Sequence, residues 1–330
     1  MKQRLDYIDI AKGIGIILVV LSHIRNSDVV NYALAFYVPI FFFCSGYTTS
    51  IPEGMSMKEN FARHAVKLLK PYFFFSILLL LINHQIYLQG LIGIFYSRYS
   101  LFPCGSPEIY RLLINGNYPL WFLTCMVVAY LLFYFIIYHP KYQYYLVSFY
   151  LIITVLLTYL PILLPWSIDT AFYMAIFMFV GMQTKQYCPN LFRSKRIHPM
   201  VLFAILLYFL LMPLCYDVNL SVREYGSSIG VCLLAGLTGC IMTIYISRLF
   251  EGTFCGTLLQ KIGQHSLTIF CIQIPLIFWG KDIAESILCP PQSQAQFIIT
   301  VIFQTIFTIT CGYLLSILLH KNQRVKKLIF

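Results

Sequence analysis

Residues 4–23 read RLDYIDIAKGIGIILVVLSH, an apolar run with a cation near its start and an imidazole at its end. On an α-helix, the eleven steps from Lys12 to His23 return to within about 20° of the same face and rise about 16 Å, roughly half of the hydrocarbon thickness of a bilayer. Asp9 stands three residues before Lys12, a spacing at which the two side chains can pair. Ionisable side chains inside a membrane are costly and usually face a cavity, so this helix is a candidate site. An interfacial histidine at a helix end is the alternative interpretation of His23.

The composition indicates an integral membrane protein. The 330 residues are 59% hydrophobic and only 11% charged, whereas soluble domains carry about 25% charged residues. Hydrophobic runs of a length that crosses a bilayer recur along the whole chain. We expect an all-α fold with about ten transmembrane helices, near residues 7–24, 33–50, 71–94, 119–138, 143–164, 169–186, 199–216, 226–249, 264–280 and 296–319.

The basic residues predict the orientation of these spans. With ten spans both termini share one side of the membrane, and 18 of the 23 Lys and Arg residues then fall on that side. Because basic residues concentrate in cytoplasmic segments, we expect both termini in the cytoplasm. This topology accounts for the net charge of +11 and removes the argument for a nucleic-acid partner. We expect a single domain over residues 1–330, with its first helix retained, in the inner (plasma) membrane.

The cysteines and the longest external loop are less informative. The eleven cysteines lie mostly in apolar segments, and none has the CxxC spacing of a zinc or redox site, so we predict no metal centre. Cys104 and Cys289 both fall outside the predicted spans, where a disulfide between them is an alternative to two free thiols. The loop 95–118 is either part of a mouth for a sugar or a simple connection.

The pattern of Asp9, Lys12 and His23 resembles the Asp-x-x-Arg/Lys…His signature of membrane acyltransferase family 3. The wider run IDIAKGIGIILVVLSHI is most similar to the fucose 4-O-acetylase-like branch of that family. The resemblance implies that His23 is the catalytic residue and that Asp9 is its acidic partner. It also implies that Lys12 helps to bind the acyl-CoA donor.

The second span carries the resemblance further. Residues 36–47, FYVPIFFFCSGY, are similar to the family's Phe-His-x-Pro-Leu-Phe-Phe-Phe-x-Ser-Gly-Tyr, with Tyr37 in place of a histidine. Ser45 is a candidate substrate contact, although a Ser-Gly pair after aromatic residues also suits close helix packing. Packing is our interpretation of Gly46.

A basic stretch follows in residues 63–72, RHAVKLLKPY, which is similar to the family's Arg/Lys-rich segment before Pro-Tyr. Arg63 and Lys67 are candidate contacts to the CoA phosphates, because charged hydrogen-bond donors suit phosphate oxygens. Anchoring to anionic lipid is the alternative explanation of these cations.

Two later motifs resemble the family as well. Trp121, in PLWFL, matches its Trp-Phe-Leu and is a candidate sugar contact, whereas interfacial anchoring is the ordinary role of such a tryptophan. Residues 263–267, GQHSL, are similar to its Gly-x-x-Ser-Leu. Gln273 then stands before Pro275 where the family commonly has a histidine, which makes Gln273 a candidate polar contact.

These features together predict a membrane O-acetyltransferase. Acetyl-CoA is the expected donor, and the expected acceptor is a hydroxyl of a cell-surface polysaccharide sugar or of its lipid-linked precursor. His23 would act as a general base or carry the acyl group. The alternative is a multispan glycan flippase or transporter, which predicts internal repeats and several charged central spans, and the spans between residues 143 and 249 are almost free of charge. A membrane glycan polymerase would need a larger external loop than 95–118.

Overall fold

The computed structural model describes residues 4–24, 33, 35–84, 87–98, 100–103, 118–288 and 293–330. Cys104 and Cys289, whose disulfide is one of the two alternatives above, and most of the loop 95–118 lie outside these ranges. The helices are α1 (Asp6–His23), α2 (Pro39–Thr48), α3 (Met57–Ile82), α4 (Leu88–Tyr96), α5 (Trp121–Tyr138), α6 (Gln143–Thr158), α7 (Ile168–Tyr187), α8 (Pro199–Leu211), α9 (Ile229–Phe250), α10 (Phe254–Gln264), α11 (Ser266–Leu288), α12 (Gln294–Lys321) and α13 (Gln323–Ile329). A short hairpin pairs β1 (Val218–Asn219) antiparallel with β2 (Glu224–Tyr225).

Six of these helices are long and apolar enough to cross a membrane, namely α3, α5, α7, α9, α11 and α12. Each of the six overlaps one of the predicted spans. The other four predicted spans fall on α2, α6 and α8, which are shorter, and on α1, which carries three charged side chains. The all-helical class is therefore confirmed, and the apolar helices support a multi-pass membrane protein.

Helix α3 begins earlier than the span predicted at 71–94. The Ser56 hydroxyl accepts a hydrogen bond from the Glu59 N–H at 3.3 Å, and the Glu59 carboxylate accepts one from the Ser56 N–H at 2.9 Å. This capping box satisfies backbone donors at the start of the helix. Because the first turns are polar, hydropathy does not reveal them. The basic stretch 63–72 is consequently part of α3, and the end of the predicted span is formed by α4.

Helix α1 lies in the interior of the protein, where it packs against α2, α9, α10, α11 and α12. Its buried apolar side chains are distributed around the helix: Ile8, Ile10, Ala11, Ile16, Val19 and Val20. A helix that is apolar on all sides is a core helix. A buried polar side chain of α1, such as Asp9, must therefore find its partners within the protein.

Helices α2 and α7 cross at two glycines. A Cβ atom on Gly46 would lie 1.8 Å from the carbonyl oxygen of Met178, and one on Gly181 would lie 2.2 Å from that of Phe43. These distances leave no room for a side chain, so only glycine permits the crossing. The interpretation of Gly46 as a packing residue is confirmed.

Candidate active site

A cavity of about 290 Å³ lies at the C-terminal end of α1, and we call it the His23 cavity. His23 and Ser22 of α1 line it together with Tyr37, which precedes α2, and Trp121, which begins α5. The hairpin contributes residues 218–221. Trp121, a substrate contact predicted from the sequence, thus shares a cavity with the predicted catalytic histidine.

One hydrogen bond determines the chemistry of the His23 ring. Its Nδ1 lies 2.7 Å from the carbonyl oxygen of Val19, one turn back in α1. A carbonyl oxygen only accepts, so Nδ1 carries the proton and the neutral ring has its lone pair on Nε2. The Ser22 hydroxyl donates to the same carbonyl at 2.7 Å. A half-buried imidazole held in this tautomer can act as a general base or a nucleophile.

A second cavity of about 270 Å³ surrounds Lys12, and we call it the Lys12 cavity. Lys67 of α3 and Ser45 of α2 line it as well. The structure therefore brings together Lys12 and Lys67, two of the predicted donor contacts. Ser45, a predicted substrate contact, lies in this cavity and not in the His23 cavity. Two ammonium groups that line one cavity can bind an anionic ligand through charge-assisted hydrogen bonds.

His64 is a lining residue of the Lys12 cavity that the sequence analysis did not single out. Its ring stacks on Tyr130 with centroids 4.5 Å apart, and its Nδ1 lies 3.0 Å from the Asn60 carbonyl oxygen and 3.0 Å from the Tyr134 hydroxyl. The sequence did contain a signal for His64, because it precedes Lys67 by three residues. This spacing puts both side chains on one face of a helix, but the predicted span began only at residue 71.

Asp9 lies outside both cavity linings, and its expected pairing with Lys12 is not found. Its carboxylate accepts a hydrogen bond from Arg4 Nε and lies 3.5 Å from the Gln264 amide nitrogen of α10. Fourteen helical steps, about 21 Å, separate Asp9 from His23. The carboxylate is therefore too far away to pair with the imidazole, and it joins α1 to α10 instead.

Arg63 and Gln273 also lie outside the two linings. Arg63 is exposed and donates to the sulfur of Met55 at 3.0 Å. Gln273 is fully buried in α11, and neither its amide nitrogen nor its amide oxygen has a hydrogen-bond partner within the described ranges. Buried amides are usually paired, so this side chain lacks the partners that a purely structural residue would have.

A buried ion triad lies beside the His23 cavity. Asp169, near the start of α7, is fully buried between two guanidinium groups, where it accepts a hydrogen bond from Arg98 Nη2 and lies 3.2 Å from Arg223 Nε. Burial lowers the pKa of the Arg98 guanidinium below its ordinary value, and the neighbouring Asp169 carboxylate offsets part of this effect. Arginine stays charged in proteins, so the site holds two cations and one anion. The three residues are far apart in sequence, and no local pattern signalled their pairing.

The triad holds the wall of the His23 cavity in place. Arg98 donates to the carbonyl oxygens of Leu164 at 3.0 Å and Ser221 at 2.6 Å. Arg223 donates to three carbonyl oxygens between residues 157 and 162. Because Ser221 lines the cavity, the triad connects this wall directly to α7 and to the loop that precedes it.

Comparison with known proteins identifies the family of the chain. A family model described as an acyltransferase domain matches residues 5–319. No curated protein and no solved structure matches the chain significantly. The family match covers both cavities and nearly the whole sequence. The chain therefore belongs to the membrane acyltransferase family 3.

Proposed function

We propose that the protein is a membrane O-acetyltransferase of the fucose 4-O-acetylase-like branch. It moves an acetyl group from cytoplasmic acetyl-CoA to a hydroxyl of a cell-surface polysaccharide sugar or of its lipid-linked precursor. The observation that carries this proposal is the half-buried His23 imidazole, which has its proton held on Nδ1 and shares helix α1 with the donor-side cation Lys12.

The donor contacts follow from the Lys12 cavity. Lys12 and Lys67 bind the phosphates of CoA, because ammonium groups form short, charge-assisted hydrogen bonds with phosphate oxygens. Arg63, which is exposed on the same helix as Lys67, attracts the anionic donor from solution. No metal is required for these steps.

The transfer uses Nε2 of His23, which carries no proton in the neutral ring when Nδ1 donates to the Val19 carbonyl. This Nε2 takes the proton of the sugar hydroxyl while that oxygen attacks the thioester carbon. The ester C–O bond forms, the C–S bond breaks, and the proton passes from Nε2 to the CoA sulfur. In the covalent variant of this mechanism Nε2 attacks the thioester carbon and the C–S bond breaks, which releases CoA as its thiolate. The sugar oxygen then attacks the acyl group, the bond of that group to Nε2 breaks, and the hydroxyl proton passes to the thiolate. General-base catalysis contributes about 10²–10⁴ in rate, and positioning contributes the rest.

The acceptor binds in the His23 cavity. Trp121 offers an aromatic face, and Tyr37 and residues 219–221 offer hydroxyl, amide and backbone groups. A few polar groups in a partly aromatic cavity fix the orientation of a ligand. Gln273 lies outside the lining of this cavity, three residues after the lining residue Phe270 on α11. We propose it as a further acceptor contact because its buried amide has unused hydrogen-bonding capacity.

The membrane arrangement follows from charge and hydropathy. Ten helices span the inner membrane, including the shorter α2, α6 and α8 and the charged α1, and both termini are cytoplasmic because basic residues concentrate there. Short or polar spanning helices are tolerated where protein surrounds them, and α1 is surrounded by five other helices.

The deciding experiment compares two histidine variants in proteoliposomes supplied with labelled acetyl-CoA and a glycan acceptor. His139 is the matched control, because it directly follows the last residue of α5 and its Nδ1 lies 2.8 Å from the carbonyl oxygen four residues earlier. It lines neither described cavity. We expect His23→Ala to lower transfer by about 10²-fold or more and His139→Ala to leave it unchanged.

Two outcomes contradict the proposal. Equal transfer by the wild type and His23→Ala excludes the catalytic role of His23. Movement of the glycan across the bilayer without any acetyl transfer favours a flippase.

A further inference from the structure

The His23 cavity and the Lys12 cavity share three wall residues. Phe41 of α2, Phe122 of α5 and Phe270 of α11 line both cavities. We call these three side chains the phenylalanine partition. Each comes from a different helix, so the partition is assembled by the fold.

The rings of the partition are in contact with one another. The centroids of Phe41 and Phe122 are 5.7 Å apart, and those of Phe122 and Phe270 are 4.9 Å apart. These separations are typical of packed aromatic pairs. Phe42 and Trp121 also pack against Phe122, at 5.2 Å and 6.5 Å. Phe122 is therefore the central ring of the partition.

The partition lies between the two functional groups of α1. A Cβ atom on Gly15 would lie 3.1 Å from two ring carbons of Phe41, so the ring rests against the helix at a position that only a small residue allows. Gly15 follows Lys12 by three residues and precedes His23 by eight. The aromatic contact thus falls between the cation of one cavity and the imidazole of the other.

We propose that the phenylalanine partition is the acyl-selecting element of the enzyme, with Phe122 as its main specificity-determining residue. This inference rests on the proposed function. The CoA phosphates remain with Lys12 and Lys67, and the thioester reaches His23 by passing between the rings. The partition admits a short acyl group and rejects longer ones, and it keeps water of the Lys12 cavity away from the reacting carbonyl.

Apolar packing gives the physical reason for the size limit. The space between contacting rings has to be opened by displacing them, and a longer chain demands a larger displacement. Deleting one of these rings removes part of the wall between the two cavities, so a longer acyl chain fits there and water of the Lys12 cavity can enter. One methylene more or less in such a site changes selectivity about tenfold or more.

The test measures transfer from acetyl-, butyryl- and hexanoyl-CoA by purified protein in proteoliposomes with a glycan acceptor. Release of free CoA thiol without acceptor measures hydrolysis, in which water replaces the sugar hydroxyl. We expect Phe122→Ala to raise the hexanoyl-to-acetyl ratio at least about tenfold and to increase hydrolysis. Phe41→Ala should move both quantities in the same direction.

Phe135→Ala is the matched control. Phe135 is on the same helix as Phe122, is 40% exposed and lines neither described cavity. This variant should keep the wild-type acyl ratio and the wild-type hydrolysis. Gel filtration and thermal unfolding in detergent identify any variant that has lost its fold. If Phe122→Ala is unfolded, Phe122→Leu replaces it and should raise the ratio by a smaller factor.

The outcomes separate this inference from the proposed function. Folded Phe122 and Phe41 variants that transfer acetyl with the wild-type acyl ratio and hydrolysis overturn the role of the partition alone. A folded wild type that transfers none of the three acyl groups overturns the proposed function, and the inference with it.

Discussion

The Nδ1 bond of His23 to a carbonyl oxygen one turn earlier is common among the described histidines of this protein. His64, His139 and His320 place Nδ1 near the carbonyl of the residue four positions before, at 3.0, 2.8 and 2.8 Å. The tautomer is therefore a local consequence of helix geometry. His23 differs from the other three because it lies in the same cavity as Trp121 and Tyr37. The tautomer makes Nε2 the basic atom of each of these rings, and its position in the His23 cavity makes His23 the candidate base among them.

Lys12 offers a residue-level test of the donor site. We expect Lys12→Ala to raise the KM for acyl-CoA more than the KM for the sugar acceptor, because the ammonium group lies in the Lys12 cavity and not in the His23 cavity. Steady-state kinetics with each substrate varied in turn measures both constants. Lys58→Ala is the control, since Lys58 is an exposed lysine on α3 outside the cavity lining. An equal rise in both KM values would contradict the assignment.

Gln273 offers a second test at this scale. An unpaired buried amide costs about 1–3 kcal/mol, and an apolar replacement of similar shape removes that cost. We expect Gln273→Met to unfold at the same temperature as the wild type or at a higher one, and to raise the KM for the acceptor. Thermal unfolding in detergent and acceptor kinetics check the two parts. An unchanged acceptor KM would rule out a substrate contact.

At the level of elements, the crossing of α2 and α7 positions Ser45, which directly precedes Gly46. A Cβ on Gly46 would collide with backbone atoms of Met178, and backbone cannot move as a side-chain end can. We expect Gly46→Ala to destabilise the protein by about 1–3 kcal/mol, as overpacking does. The midpoint of thermal unfolding measures the change.

Gly230 provides the control for this prediction. It lies in the first turn of α9, and a Cβ there meets nothing within 4 Å. Gly230→Ala should leave the unfolding midpoint unchanged or raise it slightly, because alanine favours the helix over glycine. If the two substitutions changed the unfolding midpoint equally, the close crossing of α2 and α7 would not explain the need for glycine at position 46.

At the level of the whole molecule, the triad of Arg98, Asp169 and Arg223 joins segments that are distant in sequence. We expect Asp169→Asn to destabilise the protein by about 3–5 kcal/mol, because it leaves two buried guanidinium groups without a counter-charge. Glu285→Gln is the control, because it removes one partner of the partly exposed pair with Lys281 and should change stability by less than about 1 kcal/mol. Thermal unfolding of both variants in detergent makes the comparison, and similar midpoints would contradict a structural role for the triad.

Particular residues show how far sequence analysis reached. Hydropathy located a helix at each of the ten predicted spans, because an apolar run is a local property. It misplaced the start of α3, since the capping box of Ser56 and Glu59 is polar. The spacing of charges allows a pair of Asp9 with Lys12, whereas Asp9 pairs with Arg4 in the structure. Spacing shows which side chains can meet but not which partner is nearer.

The amino-acid sequence was sufficient for the class of the protein, its family and the two polar ends of α1. These properties depend on composition, on the period of a helix and on motifs that lie within one segment. The tertiary structure alone decided that Lys12 and Lys67 share one cavity, that His23 and Trp121 share another, and that three phenylalanines from three helices stand between them. Those contacts join residues far apart in the chain, and they exist only because helix packing brings the segments together.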